Sequence, residues 1–289
     1  MKVSGFTFVR NAVKYDYPVV EAITSILPVC DEFIVCVGNS DDGTEDLIKS
    51  IRSDKIKIVH SVWDDTLREG GRVLAVETDK AFDAIAPDSD WAFYIQGDEV
   101  VHEKYLPTIK QAMEQYKDHK KVECLVFKYL HFYGNYKYVA NSRSWYRREI
   151  RIIKNDKSIR SYRDAQGFRR GENKLSGILV DAYMYHYGWV KNPYKQQTKA
   201  QNFNKLWHSD EVVAKRIPQV ELYDYSKVSS LDLFAGTHPL VMQKRIAEMD
   251  WDFEFDITKK RESFKYRVLD LIERYTGKRL FEFKNYRLI

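Results

Sequence analysis

Hydrophobic positions in the first 130 residues switch repeatedly between a two-residue and a 3.6-residue period. Val3-Ser-Gly-Phe-Thr-Phe-Val9 alternates like a strand and runs into Arg10-Asn11. Asp16 and Pro18 mark a helix start, and Val19, Ala22, Ile23 and Ile26 then recur at helical spacing up to Pro28. The cycle repeats with a strand at 33–37 and a helix through Leu47, Ile48 and Ile51. A strand at 55–60 follows, and then a helix at 71–86 carrying Val73, Leu74, Ala81, Phe82 and Ile85. An apolar strand at 91–96, a helix through Leu106, Ile109, Met113 and Tyr116, and a strand at 122–129 complete the series. Repeated strand–helix alternation implies right-handed crossovers, so the fold class is α/β with a mainly parallel sheet flanked by helices.

The chain changes character past residue 129. The next sixty residues are basic and aromatic, with Tyr133, Tyr136, Tyr138, Trp145 and Tyr146 and short strand-like pieces such as 150–153. They read as a loop-rich second half built against the first sheet. From Pro193 onward the pattern is mostly helical, ending in a helix at 264–275 with a Thr-Gly stop at 276–277. The expected organisation is therefore a unit at 1–192 with a helical C-terminal appendage at 193–289.

Composition narrows the class without changing it. At 44% hydrophobic and 31% charged residues over 289 positions, the chain is that of an ordinary globular protein. No apolar run reaches the ~18–20 residues that span a bilayer, and the N-terminus lacks a secretory signal, so the cytoplasm is the expected location. Three cysteines in apolar contexts suggest neither a disulfide framework nor a zinc site. Charge is uneven: residues 137–171 hold eleven Lys/Arg against Glu149, Asp156 and Asp164, a local +8 in a chain of +5. Such a concentration implies an anionic partner, and peripheral membrane association is one form of it.

The apolar strand at 91–96 ends in Gly97 and the adjacent carboxylates Asp98 and Glu99. Open α/β sheets bind ligands at the carboxyl ends of their strands, and a divalent cation is one reason to place two acids there. The plainer reading makes them caps of a helix beginning near Glu103. The turn 38–44 also joins a strand to a helix, but Asp41, Asp42, Glu45 and Asp46 crowd that helix start and would repel a diphosphate. A ligand there is expected to be held through its base or ribose, with Asn39 and Ser40 as polar readers.

Four features in order carry a family resemblance: Phe8-Val-Arg-Asn11, Gly38-Asn-Ser-Asp-Asp-Gly-Thr44, Gly70-Gly71 with Ala75 and Thr78-Asp79, and Gln96-Gly-Asp-Glu99. Over roughly the first 190 residues the chain resembles the family 2 glycosyltransferases with their GT-A, Rossmann-type fold. Gly38 and Asn39 stand where that family usually has two acids, which leaves Asn39 as the base contact. Gln96 stands where the metal motif usually has its first acid. The resemblance implies transfer of a sugar from a nucleotide-sugar donor, a UDP-sugar foremost, in glycan or polysaccharide synthesis. It implies donor contacts from Phe8, Arg10, Asn39, Ser40 and Gln96, and a Mn2+ or Mg2+ ion on Asp98 and Glu99. His186 is placed by the same resemblance as a third ligand.

Among the remaining aromatic positions, Trp189 suits the apolar face of an acceptor sugar, while His238 reads as structural or acceptor-lining. Arg169 and Arg170 suit an anionic or lipid-linked glycan acceptor. Inverting transfer, which the resemblance implies, needs a carboxylate base after the metal strand. Asp164, followed by the small Ala-Gln-Gly167, is the choice. Glu149 reads more simply as an ion-pair member and Asp156 as part of an exposed turn. A role for Asp164 in capping or pairing is the alternative, with Glu149 or Glu172 then next in line. A single-stranded RNA-binding protein is disfavoured because acids at the strand end repel a phosphate backbone. Nucleotidyl transfer on the same fold is the competing chemistry.

Overall fold

Strands at the N-terminal end of the chain form where apolar residues serve two faces at once. The computed structural model describes residues 1–67, 69–208, 210–216 and 220–289. In chain order the elements are β1 (Val3–Val9), α1 (Val19–Ile26), β2 (Glu32–Val37), α2 (Thr44–Lys49), β3 (Ile56–His60), α3 (Arg72–Asp83), β4 (Trp91–Tyr94) and β5 (Glu99–Val101). Then come α4 (Leu106–Tyr116), β6 (Cys124–Tyr133), β7 (Asn135–Ala140), β8 (Arg148–Lys154), β9 (Ile159–Tyr162), β10 (Gly167–Arg170) and β11 (Asn173–Trp189). The rest comprises α5 (Pro193–Asn204), α6 (Asp210–Arg216), β12 (Leu231–Leu233), α7 (Gln243–Ala247), α8 (Phe264–Thr276) and β13 (Tyr286–Leu288).

The main sheet runs β3-β2-β1-β4-β8-β6-β11. Its first four strands are parallel. β8 enters antiparallel between β4 and β6, and β11 lies parallel to β6. Because side chains alternate across a strand, Val3, Phe33, Val35 and Phe93 pack with Val19, Ile23, Ile109 and Met113 on one face. Phe6, Ile34, Cys36 and Tyr94 pack with Leu74, Ala81 and Phe82 of α3 on the other. A run such as Phe33-Ile-Val-Cys-Val37 is apolar throughout because helices cover both sides.

The second half is strand-rich, which corrects the loop-rich reading. Tyrosines and phenylalanines that broke the apolar pattern sit inside strands, where aromatic rings pack well on a pleated surface. Phe132 of β6 stacks on Tyr187 of β11 with ring centroids 4.8 Å apart. The C-terminal region is also not purely helical: β12 pairs with β7 and β13 with β11. Among the described residues no helix is long and apolar enough to cross a membrane.

Candidate active site

The turn between β4 and β5 carries Gln96 and Asp98 past the sheet edge, and β11 lies against it. Tyr187 donates its backbone N–H to the Asp98 carbonyl at 2.8 Å, and His186 faces Glu99 in the β5–β11 pairing. This register brings the His186 Nε2 to 3.8 Å from Asp98 Oδ1. The cap reading fails, since His102 caps the short helical turn at Glu103 by accepting the Lys104 N–H.

Asp98 is paired with a lysine. Lys199 of α5 places Nζ 3.3 Å from Asp98 Oδ2 and 3.1 Å from the Gly188 carbonyl. Burial opposes ionisation of Asp98, but the charge of Lys199 foremost outweighs it and holds the carboxyl down at about 2. Burial lowers the pKa of His186, against the pull of Asp98 and Glu99. A hydrogen-bond chain fixes its tautomer. His131 Nε2 bonds the Tyr146 carbonyl at 2.7 Å and so carries the proton, and His131 Nδ1 lies 3.1 Å from His186 Nδ1. Burial keeps His131 neutral. His131 Nδ1 therefore accepts from His186 Nδ1–H, which assigns a lone pair to His186 Nε2 on the side of Asp98.

That lone pair and the ionised carboxylate fit a divalent cation. Gly188 keeps the space between them open: a Cβ there would stand 2.6 Å from Asp98 Oδ2 and 2.7 Å from His186 Nε2. One carboxylate and one imidazole make a partial set, and among the described residues no cluster of three or more His, Cys, Asp or Glu is arranged to hold an ion. Mg2+ and Mn2+ sites of this kind take their remaining ligands from substrate phosphates and water.

Glu99 does not join them. Its carboxylate accepts from Arg151 Nε and Nη2, each at 2.7 Å, from the Tyr129 hydroxyl at 2.7 Å and from the Gln96 N–H at 3.2 Å. Four donors use the lone pairs of both oxygens, and the pair Glu99–Arg151 is shut away from solvent. The sequence shows two adjacent acids, but the strand's alternation turns only Asp98 toward the opening.

Phe8, Arg10, Asn39 and Ser40 gather at the ends of β1 and β2. Asn39 Oδ1 accepts the Trp63 N–H at 3.2 Å, and Ser40 Oγ accepts the Asn11 N–H at 3.0 Å, so both shape the turn. Arg10 lies over the Trp63 ring at 5.4 Å and pairs with Asp65. Trp63, missed in the sequence, packs on Phe8 and has a buried Nε1 with no hydrogen-bond partner among the described residues. Gln96 bonds the Ala165 carbonyl at 3.1 Å and the Tyr94 hydroxyl at 3.4 Å, which ties the acidic turn to the 163–166 loop.

That loop walls a cleft of about 870 Å³, whose opposite side is the start of α3 and Trp207. Asp164 stands in the wall, its pKa raised by burial against its own backbone N–H, Arg163 and Arg151. Arg163 and Ala165 on either side have φ of +56° and +61°, a strained geometry for side-chain-bearing residues that clusters at functional sites. Gly71, itself at φ +71°, lets the start of α3 approach: its Cβ would lie 2.8 Å from that of Asp164. Asp79 lines the same cleft and burial pushes its pKa up to about 6. The sequence brings it out only within the Thr78-Asp79 pair of the family resemblance, with no role of its own.

Three other assignments change. Arg169 is buried, donating to Asn285 Oδ1 at 2.8 Å and lying 3.7 Å over the Tyr162 ring. Arg170 is paired with Glu123 and Asp156. Both are engaged by partners within the protein. Glu149 has no ion pair among the described residues: Arg151 turns to Glu99, and burial raises Glu149 to about 7. Much of the basic stretch is likewise neutralised inside the protein, Arg143 and Arg147 pairing with Glu273 of α8. Trp189 is half-buried, stacked on Tyr133 and edge-on to Trp145. His238 is structural, held by the Tyr187 hydroxyl and the Tyr136 carbonyl.

No family model matches the chain, and no curated protein matches it. Solved structures similar to it include S. aureus TarS, at 14% identity over 70% of this chain and 39% of that one, with a TM-score of 0.39. Another is glucosyl-3-phosphoglycerate synthase from Mycobacterium tuberculosis in complex with Mn2+, UDP-glucose and phosphoglyceric acid, at 18% identity over 45% and 44% of the two chains, TM-score 0.31. A third is 4-diphosphocytidyl-2C-methyl-D-erythritol synthase from Anaerococcus prevotii, at 13% identity over 53% and 70%, TM-score 0.34. The chain thus spans less than half the length of the first two. The chain is a mixed α/β protein whose helix-flanked sheet, parallel through its first four strands, is consistent with a GT-A-like fold.

Proposed function

We propose that this protein is a cytoplasmic glycosyltransferase that moves a sugar from a nucleotide-sugar donor, a UDP-sugar foremost, to an acceptor hydroxyl with inversion. The observation that carries the reading is the ionised Asp98 beside an unprotonated ring nitrogen of His186, on a turn that Gln96 ties to the cleft wall holding Asp164. A divalent cation, Mn2+ or Mg2+, held by Asp98 and His186 would offset the charge of the donor's diphosphate and of the departing nucleoside diphosphate. Lys199 adds positive charge beside the same carboxylate. The nucleoside lies over the ends of β1 and β2, where Phe8, Arg10, Asn39, Ser40 and Trp63 supply an apolar and a polar wall. Asp164 takes the proton of the acceptor hydroxyl as its oxygen bonds to the anomeric carbon and the bond to the phosphate oxygen breaks. Burial makes Asp164 a stronger base than an exposed carboxylate.

The test is thermal unfolding of the full chain with UDP and UDP-sugars, with and without Mn2+. A ligand at a hundredfold over its dissociation constant stabilises by about 2.7 kcal/mol. Metal-dependent stabilisation is expected in the wild type and absent in Asp98→Ala. Equal stabilisation of that variant refutes the metal assignment. Release of pyrophosphate from a nucleoside triphosphate, in place of UDP from a UDP-sugar, reassigns the chemistry to nucleotidyl transfer.

A further inference from the structure

Helix α8 shows two opposite faces. Leu269 is its buried residue, and Asp270 and Glu273 reach back to Arg143 on the body of the protein. At about 100° per residue, Phe264, Val268, Leu271 and Tyr275 fall within an arc of roughly 60° on the far side. All four are exposed, Phe264 at 82% and Tyr275 at 84%. Phe281, just past the helix, is 87% exposed. Arg267 and Arg274 flank the stripe on one side and Lys265 on the other, as the helical spacing requires. A cleft of about 450 Å³ beside it is lined by Lys260, Arg267 and Arg274 together with Glu262 and Asp270.

Charge selects the occupant. Residues 257–289 hold ten Lys/Arg against four acids, +6 in a chain whose net charge is +5. Glu273 and Glu282 among those acids already face Arg147 inside the protein. A second copy of the chain docked stripe to stripe would set two such faces against each other, at an electrostatic cost. An outward apolar stripe with aromatic ends, flanked by basic residues, is the pattern of a helix lying in the interface of an anionic bilayer.

We propose that α8 docks the protein on an anionic membrane surface, with Phe264, Leu271 and Tyr275 entering the headgroup boundary and Lys265, Arg267 and Arg274 meeting lipid phosphates. The inference is independent of the transferase reading, because none of these residues borders the candidate active site. It is tested by co-sedimentation of the full chain with phosphatidylcholine vesicles and with vesicles that also contain phosphatidylglycerol. Binding to the mixed vesicles is expected, weakening as salt rises. Phe264→Ser/Leu271→Ser/Tyr275→Ser and Lys265→Glu/Arg267→Glu/Arg274→Glu should each lower partitioning about tenfold or more. Their unfolding temperatures should stay near wild type, since the side chains point outward. The proposal is overturned if the wild type ignores the mixed vesicles or if both triple variants bind them as well as it does. It is equally overturned if the wild type forms a dimer that the serine variant abolishes.

Discussion

Replacing Glu99 by Gln separates a ligand from a structural ion-pair partner, because the two roles predict opposite losses. In the structure Glu99 and Arg151 are 0% and 1% exposed and meet through two contacts of 2.7 Å. Glutamine keeps the shape but turns an amide toward donors from Arg151 or Tyr129 and leaves the guanidinium with no counter-charge. Removing one partner of a buried pair costs about 3–5 kcal/mol, a large part of the roughly 5–15 kcal/mol that holds a domain folded. Chemical denaturation of the full chain at neutral pH should show that loss. Replacing both partners, as Glu99→Leu/Arg151→Met, should recover much of it, since no charge is then stranded. UDP binding measured on folded Glu99→Gln at low temperature should keep its dependence on Mn2+. A variant within about 1 kcal/mol of wild type that has lost the metal dependence would refute the reasoning and return Glu99 to the ligand set.

Two further outcomes follow from the buried carboxyls. Asp164→Asn removes the proton acceptor without changing shape, so transfer should fall by about two or more orders of magnitude with donor affinity nearly unchanged; near-normal steady-state transfer would move the role to Asp79 across the cleft. Glu149 is raised from 4.5 to about 7, so the native state holds a proton that the unfolded chain releases. Its contribution is complete below pH 4.5 and is lost as pH rises through 7, on the order of 3 kcal/mol in all. Glu149→Gln, which resembles the protonated acid, should flatten that slope in urea titrations between those pH values, and an unchanged slope would show that another group sets it.

Much of the N-terminal half was legible because the inner strands there meet helices on both faces while the edge strand β3 is partly exposed, so burial is written as continuous or alternating apolar runs. Val3–Val9 and Trp91–Tyr94 lie where the pattern puts them. The second half was not, because strands such as β11 mix Lys174, Asp181 and His186 with tyrosines, and their order comes from partners far away in sequence. For the site, chain order brought out Asp98 and His186, which the fold places together. Counting charge could not reveal that Glu99 answers an arginine 52 residues on or that Arg170 is satisfied by Glu123 and Asp156. Lys199 carried no signal at all, being one lysine of many until α5 folds over Asp98.

The two-sided pairing of β11 at His186 has a dynamic consequence. That residue is bound into the sheet between β6 and β5, opposite His131 on one edge and Glu99 on the other. Slow exchange of its backbone N–H with solvent is expected, since exposing it requires the sheet to open. Asp98 sits in a turn and Lys199 on a helix outside the sheet, where faster exchange is expected. The site therefore has a fixed half and a yielding half, and any adjustment to an arriving ligand falls to the Asp98–Lys199 contact while the imidazole keeps its place as a reference point.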